Sequence, residues 1–177
     1  MSNSADVALF GGGCFWCLEA CFNRLRGVSA AISGYAGGSM DNPNYRTVCS
    51  GNSGHAEVVQ IHFDAQQVSY EQLLDLFFAL HDPTTLNRQG ADIGSQYRSV
   101  IYYRDAAQQQ AALAAIARHQ PQWAAAIVTE LSPLPHFYPA EDYHQRYFDS
   151  HSHEPFCALT IAPKLAQFSR KFAALLK

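Results

Sequence analysis

Cys14 and Cys17 stand three positions apart in Gly11-Gly12-Gly13-Cys14-Phe15-Trp16-Cys17-Leu18-Glu19, directly after the apolar run Val7-Ala8-Leu9-Phe10. Glycines permit a tight strand-to-helix turn and close approach of a ligand to the backbone. The unpaired amides of a helix start favour an anion, so Cys14 is expected to carry a lowered pKa and raised reactivity. The plain alternative is a buried cysteine in an apolar helix start. The Cys-x-x-Cys spacing itself suits a redox disulfide, half of a zinc site, or two unrelated helix residues. Zinc would need two further ligands from His151, His153 and Cys157, and His-x-His-x3-Cys is an unfamiliar partner for that pair.

Other groups could support a thiol. Glu57 lies in a strand-like segment among apolar neighbours. It reads either as an ordinary solvent-facing carboxylate or as a buried acid whose raised pKa lets it deliver a proton. Asp92 sits in a glycine-flanked loop and could simply form a turn. Tyr35, Tyr97 and Tyr147 are scattered, and each taken singly reads as structural. His144 could orient a neighbour, as a cysteine hydrolase requires of a histidine. His62 and His119 read as surface or core residues. Cys21 and Cys49 read as bystanders, Cys21 packed on a helix face.

The elements that must position these groups follow from pattern. Residues 7–13 read as a buried strand, 14–25 as a helix stopped near Gly27, 28–35 as a strand and 55–64 as another. Segment 34–45 reads as loop, and 46–54 has no clear pattern. Ser69-Tyr70-Glu71-Gln72 has the form of a capping box before a Leu- and Phe-rich helix. Residues 82–94 read as loop, 99–103 as a strand, and Asp105 caps an Ala-rich helix to about residue 119. Residues 125–131 read as a strand, after which Pro133, Pro135 and Pro139 keep the chain irregular. A short helix at 141–148, a loop at 150–157 and a final helix at 163–176 complete the series. The order β-α-β-β-α-β, then α-β, matches a ferredoxin-like, split βαβ pattern. The expected fold is an α+β two-layer sandwich with a mixed sheet. It is a single catalytic domain over 1–177, with 132–177 an irregular tail wrapping the core.

Composition narrows the partners. The 177 residues are 48% hydrophobic and 15% charged, with a net charge of −3. That is enough apolar material for a real core. No basic block is present, which argues against nucleic acid and an anionic membrane surface. No apolar run reaches the roughly 20 residues of a membrane span, and the start at 1–6 lacks the pattern of a secretory signal. The expectation is a cytoplasmic monomer. In a reducing compartment, five cysteines read as catalytic, redox or metal-binding, not as a disulfide scaffold.

Gly13-Cys14-Phe15-Trp16 resembles the active-site signature of the methionine sulfoxide reductase A family. Gly34-Tyr35-Ala36-Gly37-Gly38 and Gly54-His55-Ala56-Glu57 are similar to two further motifs of that family. So are the run from His81 to Gly90 with its continuation from Asp92 to Ser99, the stretch from Phe137 to Gln145, and Ile161-Ala162-Pro163-Lys164. The motifs run in one order from near residue 10 to residue 165. Two positions depart. Cys17 stands where the family often has glycine, and Phe156 stands where tyrosine often precedes the C-terminal cysteine, so a hydroxyl is missing there.

The resemblance implies a peptide methionine (S)-S-oxide reductase acting on free or protein-bound methionine sulfoxide. The S epimer rests on the family alone. Cys14 would be the nucleophile and Glu57 the proton donor. Tyr35 and Tyr97 would contact the sulfoxide oxygen, Phe15 and Trp16 would hold the methyl group, and Asp92 and Tyr147 would support the site. Such chemistry needs a thiol, a neutral acid and fixed hydroxyl donors in a water-poor pocket. It forms a sulfenic acid that a second cysteine condenses into a disulfide. Cys157 falls where the family's resolving cysteine falls, and Cys17 is the alternative. No bound cofactor or metal is implied, and thioredoxin would be the external reductant. Two other function classes stand beside this one: a zinc-binding module on Cys14, Cys17 and Cys157, and a general dithiol oxidoreductase with no use for Glu57.

Overall fold

The computed structural model describes residues 6–177. Segment 1–5, most of the stretch read above for a signal, lies outside the described residues. Strand β1 (Asp6–Gly11) carries the first apolar run and is buried on both faces, with Ala8, Leu9 and Phe10 all inaccessible. It ends in a tight passage to helix α1 (Phe15–Phe22), for which Cys14 is the N-cap. Gly13 has φ 86°, and a Cβ there would come within 2.7 Å of Gln89 Cγ, so this turn needs glycine for two independent reasons.

Strand β2 (Val28–Ala36), helix α2 (Tyr45–Cys49), strand β3 (Ala56–Phe63) and helix α3 (Tyr70–Leu80) follow. Next come the two-residue strands β4 (Arg88–Gln89) and β5 (Asp92–Ile93), strand β6 (Val100–Tyr103) and helix α4 (Ala106–His119). Strands β7 (Glu130–Pro133) and β8 (Phe137–Pro139) and helices α5 (Tyr147–His151) and α6 (Ala162–Lys171) close the chain. Ser69 and Gln72 form the expected capping box of α3, and Asp105 accepts the Gln108 N–H at the start of α4.

Six strands form one sheet in the order β7-β6-β1-β3-β2-β8. Neighbours are antiparallel except β6 and β7, which run parallel, so the sheet is mixed and the fold is α+β. Strand alternation sends Phe10, Val59, Ile61, Phe63 and Ile101 to one face, where they pack on α1, α3, α4 and α6. Each fully buried Phe, Leu or Ile there is worth about 1.5–3 kcal/mol relative to exposure. A smaller cluster of Leu9, Val58, Val100 and Tyr102 covers part of the other face.

The second half departs from the expected elements. The strand expected at 125–131 begins at Glu130 and ends on Pro133, and the proline-bearing stretch after it supplies β8. Both are edge strands, where a missing N–H leaves no ladder bond unmade. The expected helix at 141–148 is a 3-10 turn, Asp142–His144, followed by α5, whose N-cap Arg146 has φ 53°. The expected loop at 150–157 is largely helical, and Cys157 opens a π turn, Cys157–Ile161, that leads into α6. Segment 46–54, without a clear pattern, begins in α2, capped reciprocally by Asn44 and Thr47. The tail is therefore more regular than expected. Loop 82–94 also contains the small β4-β5 ladder that places Gln89 and Asp92 near α1.

Candidate active site

Glu57 pairs across the β2-β3 ladder with Tyr35, and alternation puts both on the helix-covered face. Glu57 is 1% exposed, so the solvent-facing reading fails. Its Oε1 accepts the Phe15 backbone N–H at 3.2 Å, which uses one of the unpaired amides at the start of α1. Burial pushes the Glu57 pKa up to about 8, against the Phe15 hydrogen bond and with help from the Asp92 carboxylate. At neutral pH Glu57 is thus mainly protonated.

The Cys14 thiol behaves opposite to the expectation. Its pKa is raised, first by burial and then by the Glu57 charge. The Trp16 N–H does favour the thiolate, as a helix start should, but desolvation outweighs it. The resting site holds a neutral thiol beside a neutral acid.

Aromatic groups form a wall on one side of that pair. Trp16 stacks on Tyr147 with ring centroids 3.8 Å apart and planes 9° from parallel. Phe156 meets Trp16 edge-on at 5.8 Å. Phe15 is fully buried and lies 5.7 Å from the Tyr35 ring. The Trp16 Nε1–H donates to His144 Nδ1 at 3.1 Å, so His144 does orient a neighbour, and that neighbour is the indole. The Tyr147 hydroxyl donates to Glu154 at 2.7 Å.

The tyrosines differ in availability. The Tyr35 hydroxyl donates to Glu141 Oε1 at 2.9 Å, and Glu141 also accepts the Tyr45 N–H. Tyr97 ends the 3-10 turn Ser95–Tyr97, and its carbonyl accepts the Gly13 N–H at 3.2 Å. The Tyr97 hydroxyl is held neutral by burial and by Glu57, Cys49, Asp92 and Cys14 around it. Burial also raises the Asp92 carboxyl, and Lys164 opposes the shift.

All five cysteines are free. Cys17 and Cys157 pack with Ala20 and Ile161 in one buried cluster, flanked by Trp16, Tyr147 and Phe148. A Cys21 side-chain hydrogen bond lowers the Cys17 pKa and outweighs burial. Cys14 opens on a cleft of about 270 Å³ shared with Gln89, Asp92, Phe156 and Lys164. Among the described residues no group of three or more His, Cys, Asp or Glu side chains is arranged to hold a metal.

Sequence reasoning gave no role to Glu141, Gln89, Lys164 or Glu19. Glu19 is buried, and its Oε1 accepts the Arg146 N–H at 2.5 Å, the residue that caps α5 and so places Tyr147. Its only signal was an acidic residue inside an otherwise apolar helix.

The sequence matches the family model described as peptide methionine sulfoxide reductase over residues 6–176. It is 58% identical over 170 residues to "Peptide methionine sulfoxide reductase MsrA" of Acinetobacter baumannii (strain AYE), covering 96% of this chain and 98% of that one. The structure resembles that of Mxr1 from Saccharomyces cerevisiae in reduced form, with a TM-score of 0.81, 33% identity, and 88% and 91% of the two chains covered. Mxr1 in complex with Trx2 shares the fold at a TM-score of 0.58 and 24% identity, over 83% of this chain and 87% of that one.

Proposed function

The chain belongs to the peptide methionine sulfoxide reductase family, and from that premise we propose that it reduces the S epimer of methionine sulfoxide, free or in proteins, through Cys14 and Glu57. The observation that carries this reading is a thiol at the N-cap of α1 beside a buried carboxyl group fixed by the Phe15 N–H. Glu57, protonated at neutral pH, donates to the sulfoxide oxygen and makes the sulfur electrophilic. The Cys14 sulfur attacks the substrate sulfur and a transient S–S bond forms; the oxygen then passes to Cys14 as that bond and the substrate S–O bond both break, leaving Cys14 as a sulfenic acid. The thiol proton replaces the one Glu57 lends, so methionine and Cys14–SOH form with no net proton change. The Tyr97 hydroxyl serves as a second donor to the oxygen. Tyr35 serves the same end once its hydroxyl turns from Glu141. Phe15 and Trp16 take the methyl group, while Tyr147 and Asp92 support the wall and rim.

Cys157 is proposed as the resolving cysteine, with Cys17 as the relay. The Cys17 thiol attacks Cys14–SOH, water leaves, and a Cys14–Cys17 disulfide forms. Cys157, packed against Cys17, then exchanges to give Cys17–Cys157 and frees the Cys14 thiol. A thioredoxin dithiol reduces that bond, a role supported by the yeast relative's complex with Trx2. Among the described residues no helix is long and apolar enough to cross a membrane. The reaction as written draws on no bound cofactor or metal, and a cytoplasmic monomer without nucleic-acid or membrane partners completes the reading. The β6-β1-β3-β2 order, all antiparallel, supports a ferredoxin-like split βαβ core within a single domain. The deciding experiment offers purified protein each epimer of methionine sulfoxide with dithiothreitol as reductant. Turnover of the S epimer alone is expected, and no turnover of either would end the proposal.

A further inference from the structure

A second cleft, of about 340 Å³, joins the active-site cleft at Gln89 and Lys164, which line both. One wall is a single stripe of α6, made by Lys164, Gln167, Phe168 and Lys171 at i, i+3, i+4 and i+7. Phe78, from the last turns of α3, and Trp123, from beyond α4, face it. Phe78 and Phe168 are buried and give the cleft an apolar patch beside its cationic edge.

The lysines of this cleft are held in no ion pair among the described residues, although Lys164 favours the charged form of Asp92 across the junction. Among the described residues, neither Lys164 nor Lys171 forms an ion pair or a hydrogen bond, and Lys171 Nζ lies 5.4 Å over the Phe172 ring. The carboxylate on the wall, Asp82, is engaged, since its Oδ1 accepts the Thr84 N–H at 2.9 Å and the Thr84 hydroxyl at 2.5 Å. His81 is spent between the Phe77 carbonyl and the Ser99 hydroxyl. The Trp123 indole N–H is buried without an acceptor. The charge of this edge is opposite in sign to the net charge of the whole chain, −3.

We propose that this second cleft is a peptide subsite of the reductase, taking the chain that flanks an oxidised methionine and favouring an acidic side chain about three residues from it. The proposal rests on the reductase reading above and names its substrate class. Continuity with the cleft at Cys14 makes the flanking polypeptide the occupant. Seven residues of α6 separate the two lysines, about 10 Å along the helix. Extended polypeptide covers that span in about three residues. Lys164 at the junction lies nearest the sulfoxide, and Lys171 meets the carboxylate further on. Phe78 and Phe168 receive an apolar side chain between them.

The test compares kcat/KM, with dithiothreitol as reductant, for two peptides that differ only at the third residue on each side of the methionine sulfoxide. One carries Glu at both places and the other Lys. A blocked single-residue sulfoxide, N-acetyl methionine sulfoxide methylamide, serves as reference. The acidic peptide is expected to be preferred about three- to fivefold at low salt, as partly exposed ion pairs allow, and the preference shrinks as salt is added. Lys171→Glu, at an exposed position, should reverse the ratio, and Lys171→Gln should bring it to unity. Equal kcat/KM for the two peptides with wild type, or a preference that survives Lys171→Glu, overturns the subsite. A Lys171→Glu defect seen only in thioredoxin-driven turnover assigns the cleft to the reductant and overturns it equally. Failure of wild type to reduce even the reference sulfoxide overturns the reductase reading itself, a different result from the loss of peptide preference.

Discussion

The Glu57 carboxyl group accepts the backbone N–H of Phe15 at 3.2 Å, tying the second residue of β3 to the first turn of α1. This bond fixes the acid beside the thiol through the backbone, so side-chain changes around it need not move it. Burial, acting against this bond, is what keeps the group protonated.

Glu57→Gln should lower the single-turnover rate of methionine formation by about 10²–10⁴-fold while changing substrate affinity little, because the amide keeps the shape and loses the dissociable proton. In wild type the same rate should fall as pH rises through about 8, where Glu57 ionises and can no longer donate. A rate that climbs through that pH, tracking thiolate formation alone, would count against the assignment.

Stability should fall as pH rises from about 6.5 to 8. Glu57 and Glu19 are pushed up by burial to about 8 and about 7 from an ordinary 4.5, so the unfolded chain ionises them first. Their contribution is complete below the unfolded value and is lost as pH rises through the folded values. His81, lowered by burial to about 4, and His144, lowered also by burial, act in the opposite sense, but only below 6.5. Urea midpoints at pH 6.5 and 8.5 check this, and Glu57→Gln should flatten the slope.

Trp16→Ala should raise KM and lower kcat. It removes the wall held between His144 and Tyr147, and with it the stacked pair, worth about 0.5–1.5 kcal/mol beyond area. Tyr147→Leu should raise KM less and leave kcat closer to wild type. Steady-state kinetics with dithiothreitol separates the two, and wild-type constants in Trp16→Ala would place the ring outside the pocket.

Cys14→Ser should abolish reduction in a folded protein, since a hydroxyl neither ionises nor forms a sulfenic acid. One equivalent of substrate without reductant should give a Cys17–Cys157 bridge in wild type and a trapped Cys14–Cys17 bridge in Cys157→Ser. Peptide mapping after digestion reads both. A direct Cys14–Cys157 bridge formed at full rate in Cys17→Ser would remove the relay and leave Cys157 as sole resolver.

Local chemistry made much of this legible in the sequence. Ser69 and Asp105 announce their helices because a cap is a matter of three neighbouring residues. The glycine run before Cys14 announces the turn, and the motif around Cys14 through Trp16 announces the thiol and its wall. The edge strands were harder to read, because prolines at 133 and 139 argue against strands anywhere except at a sheet edge, and an edge is a property of the assembled sheet.

The sequence by itself determined which groups are available: one thiol at a helix start, one acid on an apolar strand, and aromatic residues beside them. Tertiary structure alone decided their states. The strand pattern left Glu57 readable as solvent-facing or buried, and its raised pKa comes from α1 closing over it and excluding water. The Cys14 thiol reversed its expected shift because desolvation depends on everything packed around it, while the helix-start effect depends only on its own first turn. Cys17 meets Cys157 because α1 and the π turn before α6 share one buried cluster, and no spacing along the chain encodes a contact between segments so far apart.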